Sequence, residues 1–329
     1  MLAALAGAPA CSSGDPATSS TSGDAGTSHP DAGRPDVISV DVYALAIAAS
    51  GSSPTLFLAT RNFDDASGGL FRIDTSDGKS ETISSEGPAE FVTVQNGYVY
   101  WYADQYVVSG SSASYQERIL RAPVAGGKEE VLAAQDVAEA SFAVDAENVY
   151  YATKDASVIA QPLAGGAPVV LVPAMIGAKP RVFGVQAGVL YFYGIGTDDS
   201  LGVFSMPVTG GTPKLIAPNA PLLYAFGAQT LYFSELNSSE IDVVSLVGGT
   251  PHKVADASPG HAIQSIVTDA DYVYFTDGSV IAKVPIAGDG AQETLLTTAG
   301  NPLSIALTSD SVYWLDQGGM HPTVNRLDK

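Results

Sequence analysis

The side chains that could do chemistry together in this chain are three carboxylates and a histidine. The chain repeats an aromatic pair, and alignment on that pair puts Thr60, Ala103, Thr153, Gly194, Glu235, Asp277 and Asp316 at one station in seven successive units. Glu235, Asp277 and Asp316 then form an acidic arc on three consecutive units, while the first four units carry no acid at that station. Carboxylates sharing one mouth repel unless they are hydrogen-bonded or neutralised. A hard cation with oxygen ligands suits them, so weak calcium is the one cofactor the arc would take, with Glu235, Asp277 and Asp316 as ligands. In the alternative, Asp277 and Asp316 accept hydrogen bonds from the backbone of the neighbouring blade. Asp104 falls one residue late, and a one-residue step along a strand turns its side chain to the other face. His261 enters the sixth unit beside the arc. With Glu235, Asp277 or Asp316 it would make an acid–base pair for a lyase or hydrolase, and otherwise it is a turn residue.

Other chemistries find no residues. His29, His252, His261 and His321 show none of the spacings of a zinc hydrolase, and no G-x-S-x-G elbow, phosphate loop or dinucleotide fingerprint occurs. Cys11 is the only cysteine, far from any histidine in the folded region, which leaves no thiol catalysis. Fifteen Lys and Arg against 35 Asp and Glu give a net charge of -20, which would repel a phosphate backbone and argues against nucleic acid as a partner. A composition 46% hydrophobic excludes a disordered chain, and 34 Gly with 20 Pro points to many short elements joined by tight turns.

The elements that must position these residues repeat. Leu56-Phe57, Tyr100-Trp101, Tyr150-Tyr151, Tyr191-Phe192, Tyr232-Phe233, Tyr274-Phe275 and Tyr313-Trp314 recur about 42 residues apart, with one longer step between Trp101 and Tyr151. That period, with several short strands per unit, predicts an all-β fold: a seven-bladed β-propeller of four-stranded antiparallel blades. Blade six reads as strands Ala262–Thr268, Tyr272–Thr276, Val280–Ile286 and Glu293–Thr297. Gly126-Gly127, Gly165-Gly166, Gly210-Gly211 and Gly248-Gly249 read as two-residue hairpin turns before the outermost strands. Pro123, Pro162 and Pro207 stand three residues before the first three of these pairs, and Pro285 three before Gly288, where a strand end tolerates a missing donor. The seventh unit lacks a fourth strand, and the segment 37–40 has the composition to supply it, so an N-terminal strand closes the ring. Residues 36–329 are expected to form this one domain.

Tyr274-Phe275-Thr276-Asp277 and Tyr313-Trp314-Leu315-Asp316 resemble the YWTD repeat of lipoprotein-receptor propellers. Ile119-x-Arg121-x-x-Val124-x-Gly126 and Ile281-x-Lys283-x-x-Ile286-x-Gly288 are similar to its I-x-R-x-x-L-x-G strand. Those propellers have six blades, so the likeness is to bacterial YWTD-like or TolB-like relatives. It implies a rigid disk that binds a protein or small ligand, without catalysis. Seven-bladed antibiotic lyases place histidine and acid at the channel mouth, which keeps the lyase alternative open.

Ahead of the repeats, the apolar run 1–10 is too short to span a bilayer and ends at Cys11. Ala8-Pro9-Ala10-Cys11 resembles a lipoprotein-type signal in which the cysteine is acylated, so residues 1–11 read as a signal remnant and 12–35 as a flexible Ser, Thr, Gly and Asp-rich tether. Ser12 after the cysteine implies outer-membrane sorting in the resembling lipoproteins. The expected address is the bacterial cell envelope, with secretion as the alternative, membrane contact only through the lipid, and a monomer.

Overall fold

Each unit's second strand is an apolar run buried on both faces, and this dictates the architecture. In Tyr272–Thr276, every residue after Tyr272 is buried; a strand covered on both sides needs a sheet against each face. The computed structural model describes residues 37–39, 44–49, 55–61, 68–85, 87–109, 112–134, 136–174, 179–196, 199–218, 221–286, 290–298, 300–317 and 322–329. Cys11, the apolar run before it and the tether lie outside these residues.

The strands form seven four-stranded antiparallel sheets, the blades of a β-propeller, with no helix among the described residues. Blade six comprises Ser265–Thr268, Tyr272–Thr276, Val280–Pro285 and Glu293–Thr297 in that order from the channel outward. Its inner strand starts later than the sequence implies because Ser258 to His261 form a turn, His261 N–H donating to Ser258 O at 3.0 Å. Blade seven takes its outermost strand from the chain's start: Val37, Ile38 and Ser39 pair with Asn325, Val324 and Thr323. The expected ring closure is present.

The protein has seven small cores, one per blade interface, in place of one central core. The two aromatics of each pair face opposite interfaces, as neighbours on a strand must. Tyr150 packs towards blade four with Phe192, while Tyr151 packs towards blade two with Tyr100. The same rule corrects the first unit. Phe57 faces blade two with Trp101 and Leu58 faces blade seven with Tyr313, so the pair there is Phe57-Leu58, not Leu56-Phe57. Trp101 and Trp314 are buried packing residues of this series.

The third strands latch the blades together. Arg72 Nη1 donates to Val124 O of blade two at 3.1 Å and Arg121 Nη2 to Leu163 O of blade three at 3.2 Å. Both acceptors follow the proline that ends the neighbouring third strand, as does Ile286 O, which accepts from Tyr232 Oη at 3.3 Å. The adjoining glycines do not make two-residue hairpins. Gly126 N–H closes a four-residue turn on Pro123 O at 2.9 Å, and further residues intervene before the outer strand at Glu130; the φ of +93° at Gly126 explains the glycine.

Blade two is the irregular unit. Its second and third strands, Tyr98–Ser109 and Ser112–Pro123, are 12 residues each and stay paired past the blade's edge. This hairpin is the cause of the longer step between Trp101 and Tyr151.

Candidate functional site

The ends of the second strands gather the expected site residues on one face, and there the acids split by role. Thr60 bonds across to the third strand, Oγ1 accepting from Gly69 N at 3.1 Å, and Thr153 serves the turn after the second strand, Oγ1 accepting from Ser157 N at 3.0 Å. Asp277 does the same with a carboxylate. Its Oδ1 accepts from Ser279 N, Ser279 Oγ and Val280 N, each at 2.9 Å, and its Oδ2 from Ser258 N at 2.6 Å. The side chain is 1% exposed. Burial alone would raise its pKa, but the hydrogen bonds from Ser258, Ser279 and Val280 outweigh burial and hold the carboxyl below the ordinary value. Asp316 repeats the outward half of this arrangement, accepting from Asn301 N at 2.9 Å. Ser258 and Asn301 both lie in segments that lead into an inner strand, so each aspartate ties the entry of its own blade.

Glu235 is exposed, and its charge joins burial and Glu240 in raising Asp242. Among the described residues no group of three His, Cys, Asp or Glu stands where it could hold a metal ion. His261 is exposed at the end of its turn; a Cβ built on Gly278 would lie 3.9 Å from its Nδ1, which puts the imidazole near Asp277. Both oxygens of Asp277 are already committed to backbone.

Acid on this face is not confined to blades five to seven. Asp104 sits at the base of the long hairpin with Glu117 directly opposite it in register. Arg61 of blade one pairs with Glu90 and comes within 3.9 Å of Asp104 Oδ2, and Lys154 of blade three pairs with Glu117. Tyr102 Oη donates to Asp104. Burial, with the charge of Glu117, pushes Asp104 above the ordinary value against the pull of Arg61; Glu90 is raised by burial and by Asp104. Arg61 and Lys154 stand one residue past the aligned station, as Asp104 does, while Glu90 and Glu117 come from the inner and third strands of blade two, so alignment on the station alone passed over all four.

The central channel is a separate site. It holds a cavity of about 840 Å3 lined by the inner strands of blades two to six. None of Glu235, Asp277, Asp316, His261 or Asp104 lines it. Phe91, Phe142, Phe183, Tyr224 and Phe226 do, with Phe183 and Tyr224 ring centroids 4.6 Å apart and Phe91 and Phe142 5.0 Å apart, edge to face. Gly184 is required for this lining, since a Cβ there would fall 2.4 Å from the Phe226 ring. Alignment on the second strands passes over these inner-strand aromatics, although Phe91, Phe142, Phe183 and Tyr224 follow the same repeat, and the inner strands of blades two to five each carry a bulge, between Ala89 and Phe91, Val137 and Phe142, Val182 and Gly184, and Pro221 and Leu223.

No protein-family model and no curated protein matches the sequence. Solved structures do. Virginiamycin B lyase from Staphylococcus aureus is similar with a TM-score of 0.63 and 13% identity over 89% of this chain and 98% of that one. The β-propeller domain of the trilobed protease from Pyrococcus furiosus gives 0.61 and 6% over 87% and 97%. BamB from Moraxella catarrhalis gives 0.51 and 14% over 89% and 99%. These identities carry the fold alone: the chain is a β-propeller repeat protein.

Proposed function

We propose that this propeller is a non-catalytic binding protein of the bacterial cell envelope, tethered through acylated Cys11 and presenting its disk to a protein or small-molecule partner. The observation that carries the reading is the separation of acid, base and cavity. Among the described residues, the cavity wall holds no histidine and no carboxylate. Asp277, whose neighbour Gly278 lies against the His261 imidazole, spends its oxygens on four donors. General acid–base catalysis needs both groups within reach of one substrate. The lipid anchor rests on the residues around Cys11 and the tether composition.

Likeness to virginiamycin B lyase supplies the competing reading, with His261 and Asp277 as its residues. Incubation of the full chain with virginiamycin B or quinupristin, followed by chromatography and mass spectrometry, decides between them. Unchanged antibiotic is expected; conversion that disappears in His261→Ala would overturn the non-catalytic reading. Fatty-acid labelling that persists in Cys11→Ser would overturn the anchor.

A further inference from the structure

One residue past the aligned station the seven units carry Arg61, Asp104, Lys154, Ile195, Leu236, Gly278 and Gln317. Two adjacent blades, four and five, therefore place an aliphatic side chain where the others place a polar residue or glycine. The fold gathers more of the same around them. Ile195 pairs in register with Leu201 where blade four's second strand ends and its third begins. In blade five Pro221 pairs with Glu235 and Leu223 with Ser234, and the bulge between them throws Leu222 out beside the strand end that leads to Leu236. Leu201, Leu222 and Leu236 are exposed, Leu236 at 68%. Leu236 is the second residue of the turn that Ser238 N closes on Glu235 O at 3.1 Å, in a type of place that Gly, Pro, Asn, Asp and Ser dominate.

The charge beside these leucines is acidic. Glu235 and Asp199 are exposed, and neither has an ion pair among the described residues. The lysines and arginine of the two blades are engaged: Lys253 pairs with Glu240 at 3.4 Å and Asp256 at 3.0 Å, Lys214 Nζ donates to Val247 O at 2.7 Å, and Lys179 and Arg181 each have a partner.

We propose that this face of blades four and five docks a segment of a partner protein that presents leucine-sized apolar side chains flanked by Lys or Arg. This rests on the binding reading above and names its partner class. Exposed apolar side chains gathered on one face and rimmed by charge mark a contact site. The rim decides the occupant. Glu235 and Asp199 gain from a cation brought within ion-pair reach, and the net charge of -20 steers a basic segment towards the protein. A second copy laid on the same face about a two-fold axis would bring these acids against one another. An anionic membrane surface would be repelled likewise.

Calorimetry on the full chain tests the proposal with an amphipathic helical peptide of Leu and Lys and with its counterpart in which Glu replaces every Lys. The Lys peptide is expected to bind one-to-one and about tenfold or more tightly than the Glu peptide. Leu222→Ser with Leu236→Ser should weaken the Lys peptide about tenfold. Glu235→Gln should weaken it about twofold at low salt, an effect that fades as salt is raised. Val169→Ser with Val170→Ser, an exposed pair on the outer strand of blade three, should leave it unmoved. No binding, equal binding of the two peptides, or Lys-peptide binding untouched by the two serines at 222 and 236 in a folded variant would overturn the proposal. So would a dimer in sedimentation, or capture by phosphatidylcholine vesicles, that the same two serines abolish, since the face would then belong to a second copy or to lipid. Should the double variant fail to fold, Leu236→Ser alone and the comparison of the two peptides decide. Conversion of virginiamycin B by a protein that binds the Lys peptide would overturn the non-catalytic reading alone; absence of peptide binding without conversion would overturn the partner class alone.

Discussion

Blades two and six each bring an aspartate to the end of the second strand on the same face, and the two side chains live in different electrostatic worlds. Asp277 is surrounded by backbone N–H groups of its own turn and of the segment entering its blade. Asp104 is surrounded by side chains: Tyr102, Arg61, Glu117 and, through Arg61, Glu90. Fixed peptide dipoles cost nothing to reorganise and favour the charged form, so Asp277 is held below the ordinary carboxylate value. Half-buried side-chain charges of both signs nearly cancel and leave burial in control, so Asp104 is held above it. Blade six's short turn offers the carboxylate backbone N–H groups and the Ser279 hydroxyl, and no charge. Blade two's hairpin runs on past the blade and carries Glu117 alongside.

The largest effect should come from Asp277→Ala. It strands the N–H groups of Ser258, Ser279 and Val280 in a buried place, and an unmet buried donor costs about 1 to 3 kcal/mol. Some relaxation of the turn leaves an expected loss of about 3 kcal/mol, read by chemical denaturation. The pH dependence has a definite sign: a carboxyl depressed in the folded state stabilises fully above its ordinary value of 3.8 and loses that contribution as pH falls through the folded value. Asp277→Asn should therefore flatten the acid limb of the stability curve. Asp316→Ala should cost less, about 1 kcal/mol, because Asp316 is only half-buried and the Asn301 N–H it accepts from at 2.9 Å stands in an exposed place where water can replace the carboxylate. Gly300→Ala tests the same contact from the other side: a Cβ there would fall 1.9 Å from Asp316 Oδ2 and displace the carboxylate. A melting temperature unmoved by both substitutions would remove Asp316 from the comparison and leave Asp277 as the only clamp.

The repeat, the blade order and the closing strand were legible because propeller blades bury one aromatic towards each neighbour, and that demand recurs at nearly constant spacing. Val37, Ile38 and Ser39 could be placed in blade seven by counting, since that unit ended one strand short. That Asp277 and Asp316 accept from backbone was legible as one of two readings, but the expected donors lay in the neighbouring blade, whereas an aspartate just past a strand end caps its own turn and its own blade's entry. Arg61, Glu90, Glu117, Lys154 and the aromatic channel wall were not read. The first four come together only through contacts between blades one, two and three. Of the channel rings, Phe91, Phe142, Phe183 and Tyr224 do recur, 41 residues apart after the longer step of unit two, and went unread because the alignment followed the second strands alone.

The smallest expected effect is also the one that separates the two aspartates most sharply. A carboxyl raised in the folded state contributes its stability below the ordinary value of 3.8 and loses it as pH rises through the folded value, the reverse of Asp277. At neutral pH the ionised Asp104 therefore carries a burial cost and faces Glu117, offset in part by Arg61 at 3.9 Å. Asp104→Asn keeps an acceptor for the Tyr102 hydroxyl and leaves Arg61 its pair with Glu90, so the fold should survive the change intact. Stability should rise by about 0.5 kcal/mol at neutral pH, within the usual range for surface substitutions, and the gain should vanish as the solution is taken below 3.8. Denaturation curves of both asparagine variants across that interval make the check: Asp104→Asn gains at high pH and Asp277→Asn loses there. Two curves of the same sign would mean that the ion cluster of blade two clamps its hairpin as the backbone cap of blade six clamps its turn.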